Sequence, residues 1–220
     1  MSSLRQFIRE VLESNLAPTI LAHVRSECPE MLSPDVGQLL GSGHFGEVYV
    51  LGDDRVLKLG IAKSDDVVNA LFKRLDSVTS DALVRVYDFG RLCHVKLPST
   101  TKHIVKDGIA YFYVMERLFW LPKVDSRIAA RTVNDLEELS KRPDYDAARK
   151  KYVFSMTRRY RQDGDIDGDV DPVAKAVDLF DKLRSSNVFH SDMHAQNIMQ
   201  DRDGRYKFID VESARILGHK

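Results

Sequence analysis

The segment Gly41-Ser42-Gly43-His44-Phe45-Gly46-Glu47-Val48, with its flanks, constrains this chain's fold more than any other. Leu39-Leu40 runs into the glycines, Val48 and Val50 then alternate with Tyr49 and Leu51, and Gly52-Asp53-Asp54 turns the chain into Val56-Leu57-Lys58-Leu59. Strand-type alternation on both sides of glycine turns predicts antiparallel hairpins. The spacing G-x-G-x-x-G also occurs in dinucleotide-binding folds, but there the glycines open a helix, whereas here they open a strand. Without Cβ atoms, such a turn lets backbone N–H groups approach an anion closely.

The rest of the first half continues this pattern. Val67, Val68, Leu71, Phe72 and Leu75 recur at helical spacing, and strands are expected over 83–89 and over 109–116, the latter entered through Asp107-Gly108. After Trp120 the sequence turns helical and polar, with helices expected over 127–140, 145–161 and 173–186, Pro172 standing near the first turn of the last. Asp201-Arg202-Asp203-Gly204 predicts a turn into a strand over 206–211. The expectation is an α+β fold of two lobes: a helical extension (1–35, two short helices over 3–32), an antiparallel-sheet lobe (36–118) and a small helical lobe (119–220).

Charge narrows the partners. Lys+Arg and Asp+Glu are both 33, so overall charge points to neither nucleic acid nor membrane. No stretch approaches the roughly 20 apolar residues of a membrane span, and Leu4, Phe7, Ile8, Val11 and Leu12 are interleaved with charges, unlike a signal peptide. Cys28 and Cys93 are too few for a disulfide framework, so the expectation is reduced thiols in a cytoplasmic protein.

Reactive side chains cluster near the end. His190-Ser191-Asp192-Met193-His194-Ala195-Gln196-Asn197 is followed by Lys207-Phe208-Ile209-Asp210, so Asn197 lies five residues and Asp210 eighteen residues after Asp192. One carboxylate to accept a proton and two oxygen ligands for a divalent cation are the minimum for moving a phosphoryl group. Lys58, twelve residues beyond Gly46 in an apolar strand, is placed to meet an anion. No Glu lies between Glu47 and Glu116, so any acidic partner of Lys58 from the following helix is Asp65, Asp66 or Asp76. Tyr113-Val114-Met115-Glu116-Arg117-Leu118 ends the last strand before the helical half, where backbone groups can meet the edge of an adenine.

Three tracts have plainer explanations. Asp88-Phe89-Gly90 spells a magnesium-binding tripeptide but precedes Asp192 by about a hundred residues, so Asp88 is read as turn chemistry at a strand end. Asp163 to Asp171 imitates half of a calcium loop but has Ala174 where the bidentate Glu belongs, so a solvated acidic linker at a helix N-terminus is simpler. Residues 141–161 carry eight Lys/Arg against Asp144 and Asp146, a face that can dock an acidic protein or RNA but is more often solvated or paired with that linker.

Glycine hairpin, strand lysine, helix, crossover strand, H-x-D-x-x-x-x-N and final Ile-Asp, in this order over residues 37–212, resemble the protein-kinase-like superfamily. Gly41-Ser42-Gly43-His44-Phe45, Arg55 to Gly60 and Asp192 to Met199 look most like the small early-gene Ser/Thr kinase of short-tailed bacteriophages. The resemblance implies ATP, Mg²⁺ and host proteins as substrates in the host cytoplasm. By position it implies Gly41, Ser42, Gly43, His44, Phe45, Gly46 and Val48 over the ATP phosphates, with Lys58 on the α/β-phosphates and Met115, Glu116 and Leu118 at the adenine. Asp192 is then the base, His194 lies near the γ-phosphate, Asn197 and Asp210 bind Mg²⁺, and His190 braces the loop.

This sequence departs from regulated protein kinases in related ways. Ser191 replaces the Arg that reads a phosphorylated activation loop, and only ten residues follow Asp210, so no activation-loop control is expected. Val211-Glu212 stands in place of Phe-Gly. H-x-D-x-H-x-x-N also resembles aminoglycoside and choline kinases, which keeps small-molecule acceptors open, with 163–171 as the acidic acceptor tract. A pseudokinase docking through the basic helix is the third alternative.

Overall fold

The computed structural model describes residues 20–31, 36–43, 46–77, 80–165, 171–190, 193–211 and 214–216. The fold is mixed α+β and divides into two compact units, one of Met1–Lys73 with Val86–Arg117, the other of Arg74–Arg85 with Leu118–Lys220. The helices expected before residue 20 lie outside the described residues.

The first unit is built on one antiparallel sheet. Its strands are β1 (Val36–Gly43), β2 (Gly46–Leu51), β3 (Arg55–Ala62), β4 (Val86–Lys96) and β5 (Asp107–Glu116), in the order β1-β2-β3-β5-β4. Alternation along β3 sends Leu57, Leu59 and Ile61 to one face, where they bury against α1 (Ile20–Glu27) through Ile20, Leu21 and Val24. In β2 it is Tyr49, not Val48 or Val50, that joins this core. Helix α2 (Asp65–Ser77) follows β3 and touches β4 by the ring contact of Phe72 with Phe89, centroids 5.0 Å apart, and by Asp65 with Arg91 at 2.7 Å.

Two expectations are corrected here. The strand expected over 83–89 runs instead over Val86–Lys96, with register shifts at Val86/Asp88 and Arg91/His94 that disrupt the alternation a sequence can show. Asp88 therefore lies within the strand, exposed, its carboxylate accepting from the Phe89 N–H at 2.9 Å. The cysteines are not reduced thiols. Packing of α1 over β4 brings Cys28 and Cys93, 65 residues apart in sequence, to a Cα separation of 6.4 Å, and a disulfide joins them.

The second unit contains β6 (Phe119–Trp120), α3 (Lys123–Ser140), α4 (Tyr145–Gln162), α5 (Pro172–Ser185), β7 (Val188–His190), a 3-10 turn (Ala195–Asn197), β8 (Ile198–Gln200), β9 (Tyr206–Phe208) and β10 (Ala214–Ile216). Ile128 of α3, Met156 of α4 and Val173 of α5 form the centre of one apolar cluster. Asp171 caps α5 by accepting from the Val173 and Ala174 N–H groups, and Pro172 fills the first helical position, where no N–H is needed. Two small antiparallel sheets follow, β6-β8-β9 and β10-β7. The strand expected over 206–211 ends at Phe208. Ala82 to Val84 also belong to this unit: Val84 N–H donates to the Phe208 carbonyl at 2.7 Å, and Phe208 N–H to that of Ala82 at 2.8 Å. Among the described residues no helix is long and apolar enough to cross a membrane.

Candidate functional site

In the first unit, strand register sets Gly41, Val48, Lys58, Tyr113 and Phe89 in one row across the sheet. Directly opposed residues on neighbouring strands share a face, and this face lies opposite the one that carries Tyr49, Leu57 and Leu59. Lys58 is half-buried, and its Nζ stands 5.2 Å from the centre of the Tyr113 ring. The ring face attracts the ammonium and limits where it can point. Asp65, one of the three aspartates weighed for Lys58, is instead taken by Arg91. Met115 and Glu116 pair with Val56 and Arg55, two and three register steps beyond the row, and the strand closes as Arg117 N–H donates to the Asp54 carbonyl at 2.8 Å. Leu118 is the first residue after this unit's last segment.

The glycines of the hairpin differ from one another. A Cβ on Gly46 would collide with the Leu59 carbonyl oxygen, so close approach of β2 to β3 demands glycine there. Among the described residues a Cβ on Gly41 would meet nothing within 4 Å. Packing of the described residues therefore accounts for glycine at position 46 and not at position 41. Ser42 pairs with Glu47, and Gly43 with Gly46, in the hairpin's closing rungs. His44 and Phe45 lie outside the described residues.

Glu47 is the residue the sequence reading overlooked. It is only 2% exposed, and three donors meet its carboxylate: Tyr49 OH at 2.6 Å, Leu21 N–H at 3.3 Å and His103 Nε2 at 3.2 Å. An acid beside a glycine in a strand reads as solvent-facing, and the available signal was its shared parity with Tyr49.

In the second unit, β7 ends at His190, which pairs with Ala214 of β10. Ser191 and Asp192 lie outside the described residues, but their flanks are held. Asn134 Nδ2 of α3 donates to the Met193 carbonyl at 3.2 Å. His194 precedes the 3-10 turn, and its Nδ1 accepts from the Gln196 N–H at 3.2 Å. Asn197, buried, donates its N–H to the His194 carbonyl at 2.9 Å, and its carbonyl accepts from Ile209 N–H at 3.1 Å. Since Ile198 pairs with Phe208, Asn197 and Asp210 both stand at the open end of the β8–β9 hairpin. An amide oxygen and a carboxylate are the hard donors that Mg²⁺ takes alongside phosphate oxygens. Among the described residues no group of three or more His, Cys, Asp and Glu is gathered to hold a metal, and the predicted pair of Asn197 with Asp210 does not call for one.

The far end of this hairpin is tied together through the carboxylate of Asp201. Asp201 Oδ1 accepts from Asp203 N–H at 2.9 Å and Arg205 N–H at 3.0 Å, while Oδ2 takes the Arg205 guanidinium at 2.8 Å. Burial alone would raise the Asp201 pKa, but the Arg205 and Asp203 hydrogen bonds and the guanidinium charge outweigh it and hold the carboxyl below its ordinary value.

The charged tracts are largely answered from within the chain. Arg149 pairs with Asp181, Arg159 with Asp163 at 3.6 Å and Arg161 with Asp171 at 4.0 Å. Residues 166–170, most of the calcium-like tract, lie outside the described residues. Compared with known proteins, the chain matches no family model and no curated sequence.

Proposed function

We propose that this protein is an ATP-dependent phosphotransferase with a kinase-like two-lobed fold, acting on Ser/Thr hydroxyls of proteins. The observation that carries the reading is the strand row Gly41–Val48–Lys58, which sets a side-chain-free strand position and an oriented ammonium on one face of one sheet. The open space at Gly41 suits phosphate oxygens approaching the backbone, and Lys58 is the cation for the α- and β-phosphates. Met115, Glu116 and Leu118 would receive the adenine. Asn197 and Asp210 supply oxygen donors fit for Mg²⁺, which when bound neutralises phosphate charge. Asp192 accepts the proton of the acceptor hydroxyl, whose oxygen bonds to the γ-phosphorus as the bond to the β-bridging oxygen breaks and ADP departs. His194, its Nδ1 engaged by Gln196 N–H, caps the turn that carries Asn197, and the resemblance sets it near the γ-phosphate.

Two observations favour a protein acceptor over a cationic small molecule. The Nδ1 of His194 is taken by the Gln196 N–H, so that atom is not left for an acceptor. The acidic tract is answered from within the chain at both described ends, by Arg159 on Asp163 and by Arg161 and the α5 N–H groups on Asp171. If the resemblance to phage kinases holds, the acceptors are host proteins.

Incubation with [γ-³²P]ATP, Mg²⁺ and a bacterial lysate is expected to label protein bands. Asp192→Ala should reduce labelling by about 10²–10⁴-fold, the usual worth of a general base. Equal labelling by the variant would overturn the assignment; phosphate transfer to an aminoglycoside or choline but not to protein would move the acceptor class.

A further inference from the structure

The Cys28–Cys93 bridge and the buried Glu47 lie at opposite ends of the same short helix. Helix α1 has eight residues and buries Ile20, Leu21 and Val24 on the sheet. At its start, Leu21 N–H, one of the donors that a helix cannot satisfy internally, donates to Glu47. At its end, Cys28 N–H still bonds the Val24 carbonyl at 2.8 Å and the side chain is fixed to Cys93 of β4. Two turns of helix are marginal unless held by tertiary contacts.

Glu47 makes this attachment matter beyond α1. It follows Gly46 directly and pairs with Ser42, so it belongs to the glycine hairpin itself. Its carboxylate is buried among Leu21 N–H, Tyr49 OH and His103 Nε2, and a buried carboxylate that loses a donor and its cover must be resolvated or shift. We propose that the Cys28–Cys93 disulfide is a thiol-responsive latch: oxidised, it clamps α1 over Glu47 and holds the glycine hairpin in shape; reduced, it lets α1 lift and the hairpin loosen.

The exchange step has a defined direction. Cys28 is 4% exposed, whereas Cys93 is partly exposed, so a dithiol reductant attacks Cys93 Sγ as thiolate. The Cys28 sulfur leaves as thiolate and takes a proton, and the reductant's second thiol then releases Cys93 as the reductant closes into its own disulfide. Disulfides outside oxidising compartments commonly serve redox sensing in this way. The latch is defined on the hairpin and does not depend on what the hairpin binds.

Hydrogen–deuterium exchange of the full chain, with and without dithiothreitol, tests this without any activity. Thiol alkylation should trap no cysteine before reduction and both after it. Reduction should speed exchange in peptides covering 20–28 and 36–51 by on the order of tenfold or more, leaving 123–140 and 172–185 unchanged. Cys93→Ser should show the fast pattern with or without reductant. Both cysteines alkylating without reductant would overturn the proposal. So would exchange over 36–51 that is unmoved by reduction, or acceleration spread evenly over the chain.

Discussion

Gly46 and Gly41 belong to one motif, yet substitution should separate them. At Gly46 an added methyl group must displace the Leu59 carbonyl, so Gly46→Ala should cost about 2 kcal/mol or more of stability. At Gly41 the same methyl meets nothing among the described residues, so Gly41→Ala should keep the urea midpoint and, under the proposed phosphate role of this turn, weaken ATP binding in a titration. Equal loss of stability in both variants would remove the argument that Gly41 is kept bare for a ligand. Glu47 offers a second contrast, because Glu47→Ala strands three donors in a buried site and should destabilise the protein by about 3 kcal/mol in urea melts. Lys58 was readable from sequence as a lysine in an apolar strand. Tyr113 beneath its ammonium was not, because only the β3–β5 register brings the two together.

Among the elements, those with strong local signals were legible. The hairpin from β1 to β3 follows from glycine turns and alternation, and α5 follows from Asp171, Pro172 and a buried stripe that includes Val173, Ala176, Leu179 and Leu183. Asp171→Ala removes two capping bonds and should lower stability by about 1 kcal/mol, with labelling activity retained. The length of β4 was illegible because its bulges scramble the period, and the disulfide because it joins residues 65 apart through the seating of α1. The β8–β9 hairpin carries a pH signature. The Asp201 carboxyl is held below its ordinary value when folded, so it contributes fully above about pH 4 and its contribution fades as pH falls through the lowered value. Melting temperature followed from pH 5 to pH 2 should therefore fall less steeply in Arg205→Met than in the parent, because that variant has less of this contribution to lose.

Across the whole molecule, the order of strands and helices was legible, but the grouping of one short stretch was not. Residues 74–85 sit in sequence between segments of the first unit but fold with the second, where Ala82 and Val84 bond the two backbone faces of Phe208. Local patterning could not reveal this, because Leu83-Val84 looks like the opening of the strand that follows. The polypeptide accordingly passes from one unit to the other after Lys73, after Arg85 and after Arg117. No single cut can separate the units. A fragment ending at Arg117 keeps Ala82 to Val84 without Phe208, and the fragment from Leu118 keeps Phe208 with an unfilled edge. Expressed apart, the two pieces should each be poorly protected from protease; mixed, they should recover protection together, so the natural way to divide this protein is as a complementing pair.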